Sequence, residues 1–194
     1  MICDTSEHKF PAFVLKKGVE LANGTYQIAF TPEETCIGGI ISVIIKHNVK
    51  VSKTGIETTS YYIFEMLNSA PTNKFRLRKF SDNIMKDIQT IETKDELNGG
   101  DPNMNIVLGF VPTKEHQVVV TSNGTNITIL MSVNKSKFIK IFSFEGADIK
   151  KGGIGVGTCK CQVKFGDMSM RPPKLALSPE QKRAIVNNNG PNII

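Results

Sequence analysis

Short segments in which apolar and polar residues alternate recur along this chain, bounded by Gly, Asn, Asp and Pro. From Thr25 to Phe30, for example, Tyr26, Ile28 and Phe30 alternate with smaller or polar residues. A period of two places such residues on one face of an extended chain, so the pattern predicts half-buried β-strands. The candidate strands are Phe13 to Lys16, Thr25 to Phe30, Gly39 to His47, Val49 to Lys53, Ser60 to Leu67, Lys74 to Phe80, Ile84 to Ile91, Asn105 to Val111, Gln117 to Ser122, Asn126 to Val133, Phe138 to Phe144 and Gly155 to Phe165.

Two Asn-Gly pairs, Asn23-Gly24 and Asn123-Gly124, lie between apolar runs. Asn-Gly supplies the two positive-φ residues of a type I′ turn, so each pair predicts a hairpin tip. Many short strands separated by turn signals predict an all-β fold, either a two-sheet antiparallel sandwich or a jelly roll.

The chain of 194 residues is long enough for one core, and we predict a sandwich domain over residues 1–171. Residues 172–194 are predicted to form a C-terminal tail, in which Ser178-Pro179 favours the start of a short helix reaching Val186. The stretch Lys94 to Asn105, rich in Asp, Asn and Gly, predicts a long loop. No apolar run approaches the ~18 residues that a transmembrane helix needs.

The chain is basic, with 24 Lys and Arg against 18 Asp and Glu and a net charge of +6. Such a charge favours acidic partners, among them anionic glycans and lipid headgroups. Nucleic acid is the least favoured of these, because the lysines are dispersed and Trp, the best stacking residue, is absent.

The segment Lys74 to Phe80 predicts a basic strand. Its period of two places Lys74, Arg76 and Arg78 on one face, where they would form a ligand-binding ridge for sulfate, carboxylate or phosphate. A solvated face, or an edge strand protected by charge, explains the same pattern without a ligand.

The four cysteines, an even number, are consistent with a disulfide framework. Cys159 and Cys161 are two residues apart on one face of a predicted strand, which is too far for a relaxed bond between them. Each would therefore bridge to Cys3 or Cys36, in either pairing. A metal site lacks ligands, because the histidines fall in no zinc-binding spacing; they are His8, His47 and His116.

Four Asn-x-Ser/Thr sequons begin at Asn23, Asn123, Asn126 and Asn134. Together with the cysteines they predict a secreted or extracellular glycoprotein. The polar first ten residues contain no apolar stretch of a secretory signal, which leaves a cytoplasmic location open.

No catalytic constellation is present: there is neither a Gly-x-Ser-x-Gly elbow nor a His-Glu-x-x-His motif. The glycine-rich run from Gly152 to Gly157 precedes a predicted strand, whereas a phosphate-binding loop opens a helix. The run therefore predicts a turn that enters a strand, and we expect no cofactor and no enzymatic activity.

Several segments together resemble the farnesoic acid O-methyltransferase-like domain of invertebrate secreted and multi-domain proteins. They are Tyr61-Tyr62-Ile63-Phe64-Glu65, Thr72-Asn73-Lys74 leading to Arg76 and Arg78, the stretch from Val119 to Thr125 with Ile127 and Ile129, and Ile154-Gly155-Val156-Gly157-Thr158. Their order and approximate spacing are similar over Gly24 to Phe165. The resemblance implies a galectin-like β-sandwich used for binding.

Three functions follow as hypotheses. The first is a secreted, non-enzymatic module that binds glycans or other extracellular surfaces. The second is a structural jelly-roll subunit of a coat or assembly, which would self-associate. The third is a carrier that encloses a small apolar ligand between its sheets.

Overall fold

The computed structural model describes residues 12–36, 38–68, 73–92 and 109–171, and in these ranges it contains eleven β-strands and no helix. The strands are β1 Ala12–Glu20, β2 Gly24–Pro32, β3 Gly39–Val51, β4 Glu57–Asn68, β5 Lys74–Ser81, β6 Ile84–Ile91, β7 His116–Asn123, β8 Asn126–Val133, β9 Ile139–Phe144, β10 Gly153–Cys159 and β11 Val163–Arg171.

These strands form two antiparallel sheets. The six-stranded sheet has the order β1-β10-β3-β4-β5-β6, and the five-stranded sheet has the order β11-β2-β7-β8-β9. The predicted all-β, two-sheet antiparallel sandwich is confirmed. The predicted helix from Ser178 and the predicted loop from Lys94 to Asn105 lie outside the described residues, as does most of the candidate strand from Asn105 to Val111. Val111, the end of that candidate strand, lies in no strand.

The core lies between the sheets and follows from the alternation in the sequence. In β2 every second residue is buried, and Tyr26, Ile28 and Phe30 face the core. The central strand β4 instead has an unbroken buried run from Tyr61 to Leu67. This strand is covered on both faces, because Tyr61 belongs to a second apolar cluster on the side away from the core.

Three candidate strands have wrong boundaries. The segment Gly155 to Phe165 is divided at Lys160, whose φ of 52° ends β10, and the chain then crosses to the other sheet as β11. Conversely, Gly39 to His47 and Val49 to Lys53 overlap one strand, β3, with an irregularity at Lys46. Lys46 is fully buried and donates from Nζ to the carbonyl oxygen of Gly124 at 3.1 Å.

Of the two Asn-Gly pairs predicted to form hairpin tips, one does so and the other does not. Asn123-Gly124 lies at the tip of the β7–β8 hairpin, as predicted, although Asn123 pairs with Asn126 and only Gly124 has a positive φ. The prediction for Asn23-Gly24 is wrong, because this pair joins β1 to β2 and these strands belong to different sheets. Asn23 still contacts the other turn, since its Oδ1 accepts a hydrogen bond from the Gly124 N–H at 2.6 Å.

The glycine-rich run enters β10, as predicted, and its glycines permit close packing of the backbone. A Cβ on Gly152 would collide with the carbonyl oxygen of His47, and one on Gly155 would collide with that of Val14. The run therefore serves the contacts of β10 with β3 and β1.

One disulfide joins Cys36 to Cys161, which is one of the two predicted pairings of Cys36. The premise that Cys159 and Cys161 share a strand is wrong, since Cys161 lies beyond the end of β10 and packs in the core between the sheets. Any second bridge that includes Cys3 lies outside the described residues.

The buried His116 predicts an acid-sensitive core. Its ring stacks on Phe30 at 5.1 Å, Nε2 accepts from the Val111 N–H at 3.0 Å, and Nδ1 is 2.8 Å from the Lys114 carbonyl oxygen. With Nε2 accepting, Nδ1 carries the proton and donates it, so the ring is neutral. Burial lowers the pKa of His116 to about 4.

The unfolded chain takes up the proton near the ordinary His pKa of 6.5. The stability that the folded protein gains from keeping His116 neutral is therefore complete above that pH and is lost as the pH falls towards 4. The loss sums to about 3 kcal/mol in the free energy of unfolding. Denaturant titrations of the wild type and of His116→Gln between pH 7 and pH 4 would measure it. The variant should lack this part of the slope, and equal pH dependence in both proteins would contradict the assignment.

Candidate functional site

The face of the six-stranded sheet that points away from the core carries four charged side chains on neighbouring strands. They are Glu65 on β4, Arg76 and Arg78 on β5, and Asp87 on β6, and we call them the charged cluster. In the strand register, Glu65 is opposite Arg76 and Arg78 is opposite Asp87. Phe75 and Leu77, which alternate with the arginines, face the core.

Glu65 is the centre of the charged cluster and is only 1% exposed. Its Oε2 accepts from Arg76 Nε at 3.0 Å and Nη2 at 2.8 Å, and it lies 3.6 Å from Arg78 Nη1. Arg78 Nε donates to Asp87 Oδ1 at 2.7 Å. Both guanidinium groups, about one-fifth exposed, are therefore held in fixed positions at the surface.

The predicted ridge has the expected alternation, and each of its cations faces a carboxylate. Lys74, the third member, pairs with Glu92 at 3.1 Å, beside the pairs that Arg76 and Arg78 form. Three cations and three carboxylates sum to zero formal charge. The ridge is therefore not a row of uncompensated cations that repel one another, and whether it binds a ligand stays a prediction.

A row of rings borders the charged cluster on the same face. Tyr61 packs 5.0 Å from Phe80, 5.6 Å from Phe13 and 5.7 Å from His47, measured between ring centroids. We call these four residues the aromatic row. The row and the charged cluster adjoin in the strand register, where Phe80 is opposite Tyr61 and Arg76 is opposite Glu65 on the same two strands. Burial is the largest cause of the raised pKa of Tyr61, and the charge of Glu65 adds to it.

Ser42 adds a buried hydroxyl beside the charged cluster. It lies opposite Glu65 in the register of β3 and β4 and is fully buried. Its Oγ has no hydrogen-bond partner among the residues that the structure describes. The sequence analysis singled out neither Ser42 nor Glu65, although an acidic residue within the apolar run of β4 was a usable signal.

The four sequon asparagines, Asn23, Asn123, Asn126 and Asn134, are all exposed. The first three lie close to the β7–β8 hairpin, and Asn134 lies in the turn after β8 with a φ of 51°. Exposure is necessary for glycosylation, and occupancy of these sites stays a prediction.

Within the described ranges, no group of three or more His, Cys, Asp and Glu side chains is arranged to hold a metal ion. The same residues include no helix that is long and apolar enough to cross a membrane.

No protein-family model and no curated protein matches this chain. Among solved structures, the chain is similar to the carbohydrate binding module CBM66 from Bacillus subtilis, with a TM-score of 0.56, 12% identity and coverage of 82% of this chain and 80% of that one. It is also similar to sheep galectin-11, solved with glycerol, with a TM-score of 0.51, 12% identity and coverage of 83% and 97%. Toad ovary galectin, solved with thio-digalactose, gives a TM-score of 0.50 at 13% identity over 82% and 98%. The chain thus has a sandwich fold that also occurs in a carbohydrate-binding module and in galectins.

Proposed function

We propose that this protein is a non-enzymatic glycan-binding module and that the charged cluster and aromatic row form its binding surface. The observation that carries the proposal is the position of Glu65, a buried carboxylate that holds two partly exposed guanidinium groups beside a row of rings. A sugar has hydroxyls that donate and accept hydrogen bonds and C–H faces that pack on rings. The charged side chains offer partners for the hydroxyls, and the half-buried rings of Phe13, His47 and Phe80 offer apolar surface around the buried Tyr61.

The fixed geometry of the charged cluster supports binding. Because the carboxylates already hold Arg76 and Arg78 in place, a ligand would order few additional side chains, and ordering side chains is a main cost of association. The guanidinium N–H groups that remain exposed can donate to a sugar hydroxyl, and Asp87, with a side chain 55% exposed, can accept from one.

The charge balance bears on the class of glycan. A surface whose cations are compensated gains little from the charge of a sulfated ligand, so we infer that neutral glycans bind as well as anionic ones. This departs from the expectation, drawn from the net charge alone, that acidic partners are preferred.

The comparisons support a glycan-binding module, and the disulfide supports a secreted protein. The similar folds include a carbohydrate-binding module and a galectin solved with a sugar. The bridge between Cys36 and Cys161 is typical of an oxidising compartment, which agrees with a secreted protein. The proposed architecture is also the one that the resemblance to the farnesoic acid O-methyltransferase-like domain implies.

Exchange of Asp87 for Asn tests the surface. The substitution keeps the shape of the side chain and removes its charge, and a hydrogen bond to a charged group contributes about 1.5–3 kcal/mol. We therefore expect glycan affinity to fall by about tenfold or more in Asp87→Asn. A glycan array of neutral and sulfated oligosaccharides, followed by calorimetric titration of the best ligand, would measure the change.

The matched control is Asp167→Asn, which changes an exposed carboxylate on β11 of the other sheet and should leave affinity unchanged. Full affinity in Asp87→Asn would remove the charged cluster from the binding surface. Absence of wild-type binding across the array would overturn the proposed function itself.

A carrier of a small apolar ligand is the second candidate function. An apolar groove of about 310 Å³ opens at the edge of the sandwich between β1 and β11, and Val14, Phe165 and Met168 are among the residues that line it. Val14 is 55% exposed in this groove. Absence of binding across the glycan array would favour this function over the first.

A further inference from the structure

A polar cleft of about 220 Å³ lies on the opposite side of β4 and β5 from the charged cluster. Here the inner face of the six-stranded sheet changes from apolar to polar, because the polar residues Thr58 and Ser60 precede Tyr62, the first core residue of β4. Polar side chains of β3, β4 and β5 line the cleft, among them Asn48, Lys50, Thr58, Ser60, Lys79 and Ser81.

One wall of the cleft is held in place by a chain of short hydrogen bonds. The buried Tyr62 hydroxyl donates to Asp148 Oδ1 at 2.6 Å and accepts from the Asp148 N–H at 2.9 Å. Lys79 Nζ lies 2.5 Å from Asp148 Oδ2. Lys79 and then Tyr62 hold the pKa of Asp148 below its ordinary value, so this carboxylate stays ionised and the wall is formed before any ligand arrives.

Several other lining groups remain available to a ligand. Lys50 forms no ion pair, and the hydroxyls of Ser60 and Ser81 form no hydrogen bond, with any residue that the structure describes. Asn48 donates from Nδ2 to the Lys151 carbonyl oxygen at 3.3 Å, which leaves its Oδ1 as an acceptor. The cleft thus presents donors and acceptors side by side at its floor.

The composition of the lining limits the class of ligand. None of the described residues that line the cleft is aromatic, which argues against a flat aromatic ligand. The formal charges of the described lining residues cancel, because Lys50 and Lys79 are matched by Asp82 and Asp148. A neutral molecule that both donates and accepts hydrogen bonds fits this lining, and the small volume limits it to about one sugar unit.

We propose that this cleft is a second ligand site, which binds one unit of a neutral polyhydroxylated molecule such as a monosaccharide. The module would then hold two ligands on opposite faces of the same two strands. This site is independent of the surface proposed above, because the two share no side chain.

The test uses the whole protein, labelled with ¹⁵N, and five probes: galactose, glucose, mannose, fucose and N-acetylglucosamine. With at least one of them we expect the amide resonances of residues 48–50, 58–60 and 79–82 to shift in a saturable way. The double variant Ser60→Ala/Ser81→Ala should bind this sugar about tenfold more weakly, because it loses two hydroxyl partners. The matched control Ser169→Ala, on exposed β11, should bind as the wild type does.

Asp87→Asn separates this proposal from the proposed function, since it changes the charged cluster and should leave the shifts at the cleft intact. Shifts at the cleft without glycan binding at the charged cluster would support the second site alone. Absence of shifts at these amides with all five sugars, or unchanged affinity in a folded Ser60→Ala/Ser81→Ala protein, would overturn the second site.

Discussion

Replacing Cys36 and Cys161 together by alanine is expected to lower the free energy of unfolding by about 4–5 kcal/mol. The bridge joins residues 125 apart in sequence, and in the chain-entropy model a loop of this length strongly restricts the unfolded chain. Since domains of this kind are stable by only about 5–15 kcal/mol, the change is a large fraction of the total.

Two variants separate the bridge from the packing of its sulfur atoms. Cys36 is fully buried and Cys161 is 7% exposed, so alanine also leaves unfilled space, whereas Cys36→Val/Cys161→Val fills most of it. Urea unfolding of both double variants and of the wild type, without reductant, would measure the free energies. Both variants should lose most of the about 4–5 kcal/mol that the bridge contributes. If the valine variant unfolds at the wild-type midpoint, the effect belongs to packing and the bridge contributes little.

The sequence predicts the strands better than it predicts how they are distributed between the sheets. Alternation identifies the buried face of β2, because that strand is covered on one side only. The same signal says nothing about which sheet a strand joins, and this is why Asn23-Gly24 was expected to be a hairpin. It also missed the break at Lys160, where a single left-handed residue turns the chain between two apolar segments.

The candidate site was predictable in part, for a physical reason. The shared face of Arg76 and Arg78 follows from their spacing within one strand. Their partners Glu65 and Asp87 lie on neighbouring strands and are 11 and 9 residues away in sequence, so only the strand register brings them together. Compensation of the charges, on which the proposed preference for a class of glycan depends, therefore could not be inferred from the basic strand alone.

Replacing Glu65 by Gln is expected to lower the free energy of unfolding by about 3 kcal/mol, since removal of one partner from a buried ion pair leaves the other charge uncompensated. This value is at the lower end of the usual range for removing one partner of a buried ion pair. The reason is that Arg76 and Arg78 are about one-fifth exposed, so solvent screens part of their charge. Arg78 also keeps Asp87 as a partner.

The double variant Glu65→Leu/Arg76→Met distinguishes a structural role from a binding role of this pair. It removes both charges and keeps apolar volume, so most of the stability lost in Glu65→Gln should return. Thermal or urea unfolding would measure the stability, and glycan titration would measure the affinity. If the pair exists for binding, the double variant stays folded and loses glycan affinity. If stability does not return, Glu65 has a structural role beyond its pairing with Arg76, and the glycan titration alone would then decide whether it also contributes to binding.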